Sequence, residues 1–149
     1  MRKTLLLILF FCFGAQIWAQ CPKAIFPGDY PDPSILRDGK DYYMTHSPFY
    51  YAPGFLIWHS TDLMHWEPVC RALPEYEGSA MAPDLLKYQG RYYIYYPTST
   101  GENYVIYADN IRGPWSKPVK LDVRGIDPGH VVGEDGKRYL FTNNGWITT

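Results

Sequence analysis

Cysteine is scarce: the chain has three, and Cys12 lies inside an apolar N-terminal run. Cys21 and Cys70 are too few for a disulfide framework, and the sequence leaves open whether they pair or remain separate thiols. The four histidines (His46, His59, His65 and His130) form no HExxH motif and no close His/Cys cluster, so no metal motif is present. A basic stripe is also missing. With a net charge of −1 the chain lacks the footprint of a nucleic-acid binder. No basic amphipathic helix suggests a membrane surface, and no stretch beyond the N-terminal run shows a sustained 3.6-residue apolar period.

The one long apolar run, Leu5 to Phe13, is too short to span a bilayer. Arg2 and Lys3 precede it, and Ile17-Trp18-Ala19 follows with a small residue at its end. Residues 1–19 therefore read as a signal peptide cut after Ala19, leaving 20–149 as a single partial domain, secreted or periplasmic. Lipid anchoring at Cys21 is the poorer reading, because Gln20 before it fits a lipobox badly.

Tyrosine is abundant instead, with 14 residues. Tyr and Trp suit half-buried strands, and their rings also stack on the C–H face of sugars. The order in which they occur is a repeat. PDPSILRDGKDYYMTHS from Pro31, APDLLKYQGRYYIYYPTS from Ala82 and IDPGHVVGEDGKRYLFTNN from Ile126 share one plan. Each has an Asp near its start, an apolar stretch, a polar turn with Gly39, Gly90 or Gly136, and an aromatic strand carrying Tyr42, Tyr92 or Tyr139. Between them, IWHSTDLMHWEPV from Ile57 parallels VIYADNIRGPWSKPV from Val105, each closing on Pro-Val. Four short strands in each ~40–50 residues is the pattern of β-propeller blades, and an open β-sandwich is the runner-up. The chain holds about two and a half such units, and it ends in FTNNGWITT within the third, which implies that further blades follow.

Asp32, Asp84 and Asp127 stand near the starts of the three units. First strands of propeller blades line the central axis, so these carboxylates would converge on one funnel. Facing carboxylates are what glycoside hydrolysis uses, one activating water and another protonating the leaving oxygen. Asp before Pro or Gly is also ordinary turn chemistry, which would recur in phase as well. The repeat alone does not separate the two readings.

PGDYPDPSILRDGKDYYM resembles the opening motif of the family 43 glycoside hydrolases, the β-xylosidase and α-L-arabinofuranosidase group. The resemblance continues through HSTDLMHWEPV, APDLLKYQGRYYIYYP, RGPWSKPV and GIDPGHVVGEDGKRYLF, from about Ile25 to Phe141. It implies a five-bladed all-β propeller that hydrolyses pentose-containing polysaccharides or oligosaccharides with inversion. By the same resemblance, Asp32 is the general base and Asp127 the residue that raises the pKa of the acid and orients it. The acid itself is a Glu in a later blade, after Thr149; Glu67, Glu102 and Glu134 all have plain turn readings. Phe49 is implied beside the bound sugar and Asp84 as substrate-binding, although Met81 stands where many relatives have Trp. No organic or redox cofactor is implied. Some such propellers hold a cation near the axis, through a contact outside this chain. A non-catalytic carbohydrate-binding propeller is the alternative function.

Overall fold

The computed structural model describes residues 24–75, 78–143, 145 and 147–149. The signal-peptide and Cys21 expectations lie outside these residues. All regular structure described is β, arranged as three successive antiparallel meanders. The first sheet is β1 (Ser34–Asp38), β2 (Asp41–Thr45), β3 (Gly54–Ser60) and β4 (Glu67–Leu73), in chain order. The second is β5 (Asp84–Tyr88), β6 (Arg91–Pro97), β7 (Glu102–Ala108) and β8 (Val119–Arg124), again in order. The third comprises β9 (Gly129–Val132), β10 (Arg138–Phe141) and β11 (Ile147–Thr148). Consecutive small meanders of this kind are the arrangement of propeller blades.

Each sheet begins with a hairpin that its turn residues dictate. Gly39, Gly90 and Gly136 have φ of 65°, 85° and 75°. Glycine reaches such values without a Cβ clash, so the tight turn costs least there. The third turn is longer by one residue, closed by Gly136 N–H on the Gly133 carbonyl at 2.9 Å.

Strand alternation then builds the core. In β6 the residues Tyr92, Ile94 and Tyr96 face inward while Arg91, Tyr93 and Tyr95 are more open. Phe55 and Ile57 of β3 meet Ile94, Tyr96 and Ile106 from the second sheet, and all five are fully buried. The Phe55 and Tyr96 rings sit edge to face, 4.8 Å between centroids. The core is thus the seam between the first two sheets. Burying a side chain of this size contributes roughly 1.5–3 kcal/mol.

Polar links reinforce that seam. Asp38 at the end of β1 accepts from Lys87 Nζ at 2.7 Å and from the Tyr92 hydroxyl at 2.6 Å. Leu85 N–H donates to Ser34 Oγ at 2.9 Å, tying β5 to β1. Cys70 is a free thiol donating to the Ile111 carbonyl at 3.3 Å, and burial pushes its pKa up. The third sheet meets the second through Arg138, whose guanidinium lies 4.1 Å from the Tyr88 ring centre.

Candidate active site

Three short segments lead into the first strands of the sheets: Asp32-Pro33-Ser34, Ala82-Pro83-Asp84 and Asp127-Pro128-Gly129. The first paired residues of the hairpins are Ser34 with Thr45, Asp84 with Tyr95 and Gly129 with Phe141. This register corrects the expected phase of the three aspartates. Asp32 and Asp127 are equivalent, but the second sheet has Ala82 in their place, and Asp84 lies two residues further on. The backbone confirms it: Asp32, Ala82 and Asp127 have φ of 52°, 35° and 55°, each directly before proline. A non-glycine residue held there is strained by about 1–3 kcal/mol, and such strain gathers at functional sites. Asp tolerates the left-handed region better than Ala, because its side chain can bond locally. The carboxylate of Asp84 draws the eye in the sequence, whereas the X-Pro backbone sets the true phase.

Asp32 is exposed, and its Oδ2 accepts a 2.6 Å bond from the Ser47 hydroxyl. Ser47 follows β2 and is 3% exposed. Its N–H donates to the Pro31 carbonyl at 3.0 Å, and its Oγ accepts Ala82 N–H at 2.6 Å. Ser47 therefore joins the entrances of the first two sheets. The sequence reading did not select it. Its only signal was its place in the repeat, opposite Pro97 and Asn143, where Met81 N–H bonds the Pro97 carbonyl and Asn143 N–H bonds that of Ile126.

Asp127 is exposed, and no side chain among the described residues hydrogen-bonds it. Asp84 is committed elsewhere: its Oδ2 lies 2.6 Å from His130 Nδ1, both groups being largely buried. The Tyr95 ring packs on that imidazole, 4.1 Å between centroids. Asp84 thus pins the second sheet to the third, and His130 is engaged in packing and a hydrogen bond. Burial pushes the Tyr95 hydroxyl pKa up, with Arg138 opposing.

Phe49, also at positive φ (48°), bridges to Ala80 through a pair of backbone bonds of 3.0 and 3.2 Å. With Tyr30, His46, Tyr51, Trp58 and Arg71 it lines a cleft of about 390 Å³ beside the Asp32 entrance. His46 faces the Ser47 carbonyl through Nδ1 at 3.2 Å, and burial holds its pKa below the ordinary value. A larger cleft of about 660 Å³ opens between the second and third sheets, along Tyr95, His130 and Arg138; Asp32 and Asp127 line neither cleft, although Pro31 and Ser47 beside Asp32 line the smaller one. Among the described residues no three His, Cys, Asp or Glu side chains cluster where they could hold a metal ion.

Successive blade-like meanders, each entered through a strained residue before proline, define an all-β protein of the propeller kind. The sequence model of the glycosyl hydrolases family 43 matches residues 21–149, and the chain belongs to that family. It is 38% identical over 128 residues to a xylosidase/arabinosidase of Butyrivibrio fibrisolvens, covering 77% of this chain and 25% of that protein. It is 35% identical over 133 residues to a non-reducing end α-L-arabinofuranosidase of Bacteroides ovatus, covering 79% and 25%. The crystal structure of a GH43 protein from Bacillus licheniformis superposes with a TM-score of 0.72 at 35% identity, over 81% of this chain and 28% of that one. The chain thus spans about a quarter of the length of these relatives.

Proposed function

We propose that the protein hydrolyses O-glycosidic bonds in pentose-containing plant polysaccharides or oligosaccharides, as a β-xylosidase or α-L-arabinofuranosidase acting with inversion. The observation that carries the reading is Asp32: an exposed carboxylate at a strained pre-proline position, gripped through one oxygen by a buried hydroxyl. As general base, Asp32 takes a proton from water while the oxygen of that water attacks the anomeric carbon. The leaving oxygen is protonated by a Glu from beyond the present residues. Inverting enzymes keep the two carboxyl groups roughly 6.5–9.5 Å apart, which leaves room for the water. Asp127 holds a negative charge near the acid and so raises its pKa, keeping it protonated near neutral pH. Phe49 supplies a ring beside the sugar.

The five-blade count belongs to the same proposal. It is supported by the meander order and by the apolar residues left exposed on one face of the third sheet, Val131, Phe141 and Ile147. Such a face suits packing against another sheet. Export after cleavage at Ala19 is likewise proposed, on the Arg2-Lys3 start and the short apolar run.

The test is hydrolysis of aryl β-xylosides and α-L-arabinofuranosides by the full gene product, with the first-formed sugar followed by proton NMR. Release of the inverted anomer supports the proposal. Release of the retained anomer contradicts inversion, and sugar binding without turnover would favour the non-catalytic propeller.

A further inference from the structure

We infer that Ser47 is the positioning residue for Asp32, fixing which carboxylate oxygen receives the proton of the attacking water. The inference rests on the general-base reading above. A serine hydroxyl has one proton to give and lone pairs to receive. Ser47 Oγ already accepts the Ala82 N–H at 2.6 Å, so its proton is directed to Asp32 Oδ2, also at 2.6 Å. Neighbouring bonds hold the serine itself. Its N–H is on the Pro31 carbonyl, and its own carbonyl faces His46 Nδ1. At 3% exposure it is nearly closed to solvent. Asp32 Oδ2 is thereby occupied, and Oδ1 is the oxygen left unclaimed among the described residues.

The same hydroxyl touches two strained positions, Asp32 and Ala82, so the base cannot swing without giving up a bond from a serine that is itself anchored to the second sheet. The grip is specific to the base. At the equivalent place in the third sheet Asn143 Oδ1 accepts the Ile126 N–H at 3.0 Å, and Asp127 receives no such bond among the described residues. A loose base costs turnover more than binding, since a misplacement of about 1 Å at a reacting group can cost on the order of a hundredfold.

The experiment measures kcat and KM of Ser47→Ala, Ser47→Cys and Ser47→Thr in the full gene product, and of Ser47→Ala combined with Asp32→Asn. Ser47→Ala should lower kcat by roughly tenfold to a hundredfold with KM within about twofold. Ser47→Thr, which keeps the hydroxyl, should recover most of the loss. In the Asp32→Asn background Ser47→Ala should cause little further loss, because partners acting through one group are not additive. Should the alanine variant fail to fold, Ser47→Cys reads the same effect with the volume kept and only a weak donor. Parental kcat in a folded Ser47→Ala or Ser47→Cys protein would overturn the inference, as would an equal further loss on top of Asp32→Asn. Asp32→Asn retaining turnover would instead sink the general-base reading itself.

Discussion

At the residue scale, Asp32 and Asp127 occupy one backbone situation, left-handed and before proline, yet have different surroundings. Asp32 is held by Ser47, whereas Asp127 stands free of side-chain partners among the described residues. This difference fits the two roles proposed for them, a base that must be aimed and a charge that acts at a distance. If Asp127 raises the pKa of the acid, Asp127→Asn lowers it. The acid then loses its proton at lower pH, and the alkaline limb of the pH–rate profile moves down while the base-controlled limb stays. A pH–kcat/KM profile of the variant measures this; an unmoved alkaline limb would remove Asp127 from that role. The equivalent placement of Asp32 and Asp127 was legible in the sequence because each stands before proline at the head of its unit. Ser47 was not, because a serine after a strand has no signature of its own and its importance comes from Ala82, which is distant in sequence. Asp84 was misphased for a related reason: its side chain is visible in the sequence, and the register is not.

At the element scale, hairpins built on Asp38-Gly39-Lys40 and Gln89-Gly90 were readable directly, since glycine turns flanked by aromatic runs fix both strands. The fourth strands were harder. In β4 and β8 most residues are open, and register shifts against β3 and β7 break the simple alternation that marks a strand. Side-chain links compensate in the first sheet, where His59 of β3 contacts Asp41 of β2 at 2.8 Å and Glu67 of β4 at 3.3 Å. The Asp41 bond, with Glu67 assisting, raises the His59 pKa above its ordinary 6.5 against the cost of burial. The protonated form is therefore favoured by folding. Its stabilisation is complete below about pH 6.5 and is lost as pH rises through the higher folded-state pKa. Melting temperatures of parent and His59→Gln should differ most at pH 5–6 and converge at higher pH; a constant gap would assign the effect to packing.

At the scale of the whole molecule, stability rests on the seam between the first and second sheets. Ile94 lies at its centre with no exposure. Ile94→Ala removes buried methyl groups and leaves a cavity, so it should cost about 2–5 kcal/mol. Denaturant unfolding of the full gene product measures this, and a loss under 1 kcal/mol would show that the seam collapses around the gap. The repeat made the succession of sheets legible before any coordinates, because each unit restates one strand–turn–strand plan. How the units face each other was not legible, since it depends on contacts such as Asp38 with Lys87 and Asp84 with His130 that no local pattern encodes.

Asp32 as the base is the centre of the proposed chemistry, and one substitution tests it most directly. Asn keeps the shape of the side chain and can still accept the Ser47 bond, but it cannot take a proton from water. Turnover of an aryl pentoside by Asp32→Asn, measured beside its melting curve, should fall on the order of 10²–10⁴-fold with the fold intact. Turnover near that of the parent, in a protein that melts normally, would contradict the account.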